Sequence, residues 1–123
     1  MITFSYNELL EILEVIYKGK VTYEELYDFG IAFENNKSLP RNLKMLTDVT
    51  KANYDFPPEK IADIAKNMEN ITKNYQQIKA AFIQTKPTET AMSILLQNEH
   101  RRENYIHKIF YSREQALEWL MGK

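Results

Sequence analysis

The sequence contains no cysteine, only three glycines and only four prolines among its 123 residues. The absence of cysteine excludes disulfides, thiol nucleophiles and thiolate metal sites, and it is compatible with a reducing cytoplasm. The glycines, Gly19, Gly30 and Gly122, are too few and too far apart to form the glycine-rich loops that hold nucleotide phosphates. Nucleotide binding of these kinds is therefore excluded.

The chain also lacks a large net charge and long apolar runs. Its 16 basic and 17 acidic residues leave a net charge of -1, so nucleic acid is not an expected partner. The one short basic cluster, residues 100–102, is typical of a solvated helix end. Charged residues interrupt every apolar run before the roughly 18 residues of a membrane-spanning helix. Since residues 1–10 also lack a signal-peptide pattern, we expect a cytoplasmic protein without a transmembrane segment.

What the chain does have is enough apolar material for one core. Hydrophobic residues make up 44% of the sequence and aromatic residues 12%, which is ordinary for a globular domain. A chain of this length forms a single domain by default, so residues 1–123 are expected to be one domain.

The first segment, "NELLEILEVIYKG", satisfies both helical spacing and strand alternation. The β-favouring residues Val15, Ile16 and Tyr17 tip the balance toward a strand, with residues 2–6 as a hairpin partner. The sequence of residues 18–20, Lys-Gly-Lys, is a turn signal and predicts that this strand ends there.

The next segment, "TYEELYDFGIAFENN", predicts a helix. Thr22 and Glu25 have the spacing of a capping box, in which each side chain satisfies a backbone N–H of the first turn. Gly30 is unfavourable inside a helix and indicates close packing of this helix on the sheet. A short strand at residues 43–49 and a loop at residues 51–58 are expected to follow.

The second half alternates regularly between helix and strand. A helix is expected after the paired prolines at 57–58, because apolar residues recur at helical spacing from Ile61 onward. Strands are predicted at residues 78–85 and 105–111, separated by a helix with Pro87 near its first turn. A final helix opens with a second capping box, Ser112 and Gln115, and should place Trp119 in the core.

The predicted fold class is therefore α/β. The element order β-β-α-β-α-β-α-β-α indicates one mixed sheet of four or five strands, flanked by about four helices, because strands alternating with helices form parallel crossover units.

Several stretches in this order, "VIYKGKVTYEEL", "KMLTDVT", "IKAAFIQT" and "FYSREQALEWL", resemble the SpoIIAA-like branch of the STAS superfamily, which includes the anti-sigma-factor antagonists. The resemblance implies a STAS-like domain with a regulatory protein partner. In those antagonists a serine at the start of the second helix is phosphorylated by a partner kinase. The corresponding stretch here, "TDVTKANYDFPPEK", has no serine, and Thr50 is the nearest hydroxyl, so it is the candidate phosphorylation site. Asp48 matches the family's acidic residue at the end of the third strand.

Ligands of open parallel sheets favour the crevice beyond the carboxyl ends of the strands. The candidate interaction or ligand edge therefore consists of the polar and aromatic residues expected there: Asp48, Thr50, Tyr54, Lys86, Thr88, Glu89 and Ser112. Helix capping is the alternative role for the hydroxyl residues of this set.

No catalytic, cofactor-binding or metal-binding signature is present. The two histidines, His100 and His107, lack metal-ligand spacing, and no serine lies in a nucleophile-elbow motif. We therefore expect a non-enzymatic regulatory or protein-interaction domain. The alternative is a module that binds a small apolar ligand or a lipid, because relatives in this branch resemble lipid carriers and the chain is rich in Tyr, Phe and Met. A homodimer through an exposed helix or an edge strand is compatible with either function.

Overall fold

The computed structural model describes residues 1–99 and 102–122 and shows a five-stranded sheet with four α-helices. Two residues of the predicted basic cluster, His100 and Arg101, thus lie outside the described part of the chain. The α/β class and the predicted element order are confirmed. A short 3-10 helix at Pro58–Lys60 precedes the second α-helix. The elements are β1 (Ile2–Asn7), β2 (Ile12–Thr22), α1 (Tyr23–Asn35), β3 (Asn42–Asp55), α2 (Ile61–Thr72), β4 (Gln77–Ile83), α3 (Pro87–Glu99), β5 (Tyr105–Phe110) and α4 (Arg113–Leu120).

The strands lie side by side in chain order, with β1 antiparallel to β2 and all other neighbours parallel. Right-handed crossovers that advance in one direction place all their helices on the same side of the sheet. Accordingly α1, α2 and α3 pack next to one another on one side, the front face, and α4 lies on the other, the back face. Within the described residues, no helix is both long and apolar enough to cross a membrane.

Strand alternation divides the apolar residues between the two faces. In β2, Leu13, Val15 and Tyr17 point to the front, where they join the larger core cluster, and Ile12 points to the back. The back core is smaller and is closed by the apolar side of α4. Its buried members are Ile12, Leu46, Ala81, Ile83, Ala116 and Leu120.

The predicted turn at residues 18–20 is wrong, because β2 continues to Thr22. Gly19 has a φ of 66°, and the pairing of β2 with β3 shifts by one residue just before it. Glycine allows such a conformation inside a strand without ending it. The hairpin between β1 and β2 bends instead at residues 8–11, where Glu11 has a φ of 57°.

The predicted loop at residues 51–58 is also largely a strand, since β3 runs on to Asp55. The reason is visible in the alternation: Ala52 and Tyr54 face the front core, and the polar residues between them face solvent. β2 pairs with β3 along this whole extension, so tertiary pairing overrides the loop-like composition.

The helix starts are largely as predicted. The Thr22 hydroxyl accepts a hydrogen bond from the Glu25 amide at 3.1 Å, and the Glu25 carboxylate accepts one from the Thr22 amide at 3.3 Å, which completes the capping box. The Ser112 hydroxyl accepts from the Gln115 amide at 3.2 Å. Trp119 is half-buried at the margin of the back core, against Phe110.

Gly30 does not pack on the sheet as predicted but against α2. A Cβ atom at this position would lie 3.0 Å from the Cδ1 atom of Ile71. The close approach that the sequence indicated at Gly30 therefore exists, but its partner is the Ile71 side chain of α2 and not the sheet.

Candidate functional site

A cavity of about 370 Å³ lies between the front face of the sheet and helices α1, α2 and α3. Its floor is formed by strand residues and its roof by apolar residues of the three helices. Ligand sites in proteins typically enclose about 300–1,000 Å³ and are mostly apolar with a few polar groups, so this cavity lies within that range. The floor residues are Tyr17, Met45, Tyr54, Phe82 and Tyr105.

The cavity opens to solvent between α1 and α2. Most residues that line it are buried or half-buried, but Tyr27 is 47% exposed and Ile31 is 41% exposed, and both belong to the outer side of α1. Asn70, on α2, is the exposed lining residue opposite them. The exposed apolar side chains of α1 thus form one side of an entrance.

Three tyrosines from three different strands converge on the cavity floor. Tyr17 and Tyr54 meet edge to face, with ring centroids 6.4 Å apart. Burial raises the pKa of Tyr54 to about 12 and raises the pKa values of Tyr17 and Tyr105 as well, with a further contribution from their tyrosine neighbours. All three hydroxyls therefore stay protonated at neutral pH, and they act as hydrogen-bonding groups rather than as bases.

The hydroxyl of Tyr54 belongs to a small buried network. The Gln84 side-chain amide donates to it at 3.4 Å and also donates to the Ser93 hydroxyl, and the two hydroxyls lie 3.5 Å apart. The network joins β3, the end of β4 and α3 at one side of the cavity. Its hydroxyls are thereby held in fixed positions.

Tyr17 differs from Tyr54 in this respect. It is only 6% exposed, yet within the described part of the chain its hydroxyl finds no hydrogen-bond partner. Its oxygen is not completely enclosed, unlike that of the Thr47 hydroxyl, so the hydroxyl is accessible from the cavity. Because Tyr17 lines the cavity, its hydroxyl is the place at which a polar group of a ligand would be satisfied.

Two residues of the predicted edge, Lys86 and Glu89, form hydrogen bonds with the extension of β3 at residues 51–55. The Lys86 ammonium donates to the Ala52 carbonyl and to the Asn53 side chain, both at 3.1 Å. The Glu89 carboxylate accepts from the Tyr54 backbone amide at 3.2 Å. Since β4 ends opposite Asp48, these side chains satisfy backbone groups on the side of β3 that faces away from β2 and has no neighbouring strand there.

The other edge residues form local contacts. One carboxylate oxygen of Asp48 accepts from the Thr50 amide at 2.9 Å and from the Thr50 hydroxyl at 2.6 Å, so this hydroxyl is engaged beside the register shift. Ser112 caps α4 and Thr88 is exposed in the first turn of α3. In residues 1–99 and 102–122, no hydrogen bond joins Thr88 or Ser112 to the rest of the edge, and only Tyr54 of that set lines the cavity. Phosphorylation of Thr50 stays a prediction.

Sequence reasoning missed the cavity and with it Tyr17, Gln84 and Ser93. A signal for Tyr17 existed: the alternation from Leu13 through Val15 puts its ring on the inward face, where a polar tip needs a partner. Gln84 and Ser93 carry no such signal, because their contact depends on how α3 crosses the end of β4. Among the residues that the structure describes, no cluster of three or more His, Asp or Glu side chains could hold a metal.

No protein-family model and no curated protein sequence matches this chain. Among solved structures, the chain is similar to an uncharacterized protein of the DUF3478 family from Shewanella loihica PV-4, which is described as having a SpoIIAA-like fold. The similarity covers 98% of this chain and 92% of the other, with a TM-score of 0.64 and 16% sequence identity. The predicted SpoIIAA-like fold is therefore confirmed. A likeness at this level of identity is informative about the fold alone.

Proposed function

We propose that this protein is a non-enzymatic binding domain that holds a small, largely apolar molecule in the cavity beneath α1, α2 and α3. The observation that carries the proposal is the cavity itself, which has buried aromatic and methionine walls, an entrance between two helices and a hydroxyl without a protein partner on its floor. Protein interiors normally leave few voids larger than a water molecule.

The volume sets the size of the ligand. An apolar cavity of about 150 Å³ is known to take up one benzene molecule. In proportion, a cavity of 370 Å³ accommodates a molecule of about fifteen non-hydrogen atoms. Burial of that much apolar surface supplies the binding free energy, and the few polar groups on the wall fix the orientation.

Native mass spectrometry of freshly purified protein, followed by calorimetric titration of apolar compounds, tests this function. We expect one ligand per chain. The variant Leu26→Trp should abolish binding, because Leu26 is half-buried on α1 and lines the cavity. Leu117→Trp, the same change at a half-buried position of α4, should bind normally. A protein that is always free of ligand and binds no compound of suitable size would contradict the proposal.

A regulatory role through a protein partner is the second candidate, and one observation favours it. The extensions of β2 and β3 project beyond the end of β4 and expose the side chains of Lys51, Asn53 and Asp55. Tyr111, which is 74% exposed, follows β5 at the carboxyl ends of the strands. Tyrosine is enriched at recognition surfaces, which carry polar residues at their rim.

Cross-linking in cell extract separates the two candidates. A partner that uses the carboxyl edge should be lost with Asp55→Ala and Tyr111→Ala, and it should still be captured by Leu26→Trp, whose change lies in the cavity. Equal capture by all variants would count against this surface.

A further inference from the structure

The charges around the cavity are unevenly distributed. Among the described residues that line it there is no lysine, arginine or histidine, and the one ionisable acid is Glu34, half-buried near the end of α1. The carboxylate of Glu89 lies just behind the wall, close enough that its charge contributes to the raised pKa of Tyr54. A cation also lies at the margin, because the Lys60 ammonium is 4.9 Å from the ring centroid of Tyr23, and no described residue places an ionic group of either sign on the floor.

This distribution disfavours ligands with a charged head group. A carboxylate or phosphate placed on the floor would lose its hydration and would meet no cation there. An ammonium would be attracted by the tyrosine rings, but it would also lose its hydration, because no carboxylate lines the floor. A neutral head group pays neither penalty.

The floor does offer hydrogen bonds to a neutral group. The hydroxyl of Tyr17 can donate to an oxygen of the ligand and accept from a ligand hydroxyl. The hydroxyls of Tyr54 and Ser93 already accept from the Gln84 amide, whereas both the donor and the acceptor capacity of the Tyr17 hydroxyl are unused within the described part of the chain.

We propose that the cavity selects uncharged molecules with an apolar body and one hydroxyl or carbonyl head group, and that the Tyr17 hydroxyl binds this head group. The inference rests on the proposed function, because it specifies which apolar molecules the cavity takes. It makes Tyr17 the specificity-determining residue of the site.

The test compares three molecules that share a decyl chain and differ in the head group: 1-decanol, decanoate and decylamine. Their affinities for the full protein are measured by calorimetry at neutral pH and below the concentrations at which they form micelles. We expect 1-decanol to bind at least about tenfold more tightly than either ion, since an unpaired buried charge is much more costly than a satisfied hydroxyl.

The variant Tyr17→Phe removes the hydroxyl and keeps the ring. It should weaken the binding of 1-decanol roughly five- to tenfold, which is the effect of losing one hydrogen bond. The weak binding of the two ions should be unchanged. Tyr6→Phe is the matched control, because Tyr6 lies on β1 on the same side of the sheet but does not line the cavity. It should leave all three affinities unchanged.

The outcomes separate this inference from the proposed function. Decanoate or decylamine binding as tightly as 1-decanol would overturn the head-group selection while the binding function stands. Preference for 1-decanol that Tyr17→Phe does not reduce would overturn the role of Tyr17. Failure of all three molecules to bind, together with no binding of other apolar compounds, would overturn the proposed function and the inference with it.

Discussion

The two faces of the sheet are built from the same strands but are packed differently. On the back, Ala81 of β4 and Ala116 of α4 have no exposed surface. Leu120 of α4 is buried between this helix and the sheet. On the front, the large rings of Tyr17 and Tyr105 project from the strands toward three helices, and a space of about 370 Å³ is left among them.

This difference in packing separates a back face that stabilises the fold from a front face that can bind a ligand. The buried side chains of the back face pack directly against α4. The front face has a similar apolar character but combines an open volume with polar groups at fixed positions. The contrast indicates that the open volume belongs to the front face, where three helices lie over large aromatic side chains of the strands.

The largest predicted effect comes from removing the filled face. Deletion of residues 112–123 removes α4 and exposes the apolar back of β3 and β4, including Leu46 and Ile83. We expect the truncated chain to lose its cooperative thermal transition, because a domain this small has little stability to spare. A truncated protein that melts cooperatively near the temperature of the parent would show that α4 is dispensable.

A pair of small enlargements, one on each face, tests the comparison. Ala81→Val suits a strand by propensity, but Ala81 is fully buried in the back core, and overpacking there should cost about 1–3 kcal/mol of unfolding free energy. Gly30→Ala suits a helix, gains about 1 kcal/mol in propensity, and displaces only the end of Ile71, a flexible side chain that borders the cavity.

Gly30→Ala should therefore be neutral or stabilising, and it should reduce the affinity for large ligands. Chemical denaturation of both variants gives the comparison directly. Equal destabilisation by the two changes would mean that the front face has no more room than the back.

Alkaline solution should loosen the front face selectively. The pKa of Tyr54 is raised from an ordinary value of 10.0 to about 12, so above pH 10 the unfolded chain releases this proton before the folded chain does. The stabilisation is complete below pH 10 and is lost as the pH rises from 10 to 12. Tyr54→Phe should flatten the pH dependence of the unfolding free energy in this window, and Tyr111→Phe, at an exposed position, should not.

The smallest predicted effect is at the back face, in the ion pair between Arg113 of α4 and Glu14 of β2, whose nitrogen and oxygen lie 2.6 Å apart. The hydrogen bond from Arg113 holds the pKa of Glu14 below its ordinary value of 4.5, so the stabilisation is present above that pH and is lost as the pH falls. Both side chains are partly exposed, and Glu14→Gln should cost less than about 1 kcal/mol.

Urea denaturation at low and high salt measures this cost, and high salt should reduce it. Glu118→Gln, at an exposed position of α4, is the control and should have no measurable effect. A large, salt-independent loss of unfolding free energy in Glu14→Gln would show that this pair stabilises the fold more than a surface ion pair does.

Local patterns were sufficient to predict the fold and insufficient to predict the cavity. The capping box of Thr22 and Glu25 and the alternation within β2 depend on near neighbours in the chain, and both were visible in the sequence. The continuation of β3 through residues 51–55 was missed because the pairing with β2 decides it. The empty volume depends on how side chains of seven elements fit together, and no single segment of sequence contains that information.

The candidate edge illustrates the same limit. Lys86 and Glu89 lie near the carboxyl end of β4, a position that topology alone gives them. Their contacts with the backbone of β3 could not be foreseen, because the length of β3 beyond β4 was not known from the sequence.

Methionine methyl groups offer the most direct measurement of the central claim that the front cavity is a ligand site. Of the five methionines, Met45, Met68 and Met92 line the cavity, Met121 packs at the back core and Met1 is at the exposed amino terminus. In a titration of methyl-labelled protein with 1-decanol, followed by nuclear magnetic resonance, we predict saturable shifts of the first three signals and none of the other two. Unchanged signals of Met45, Met68 and Met92, or equal shifts of all five, would contradict the account.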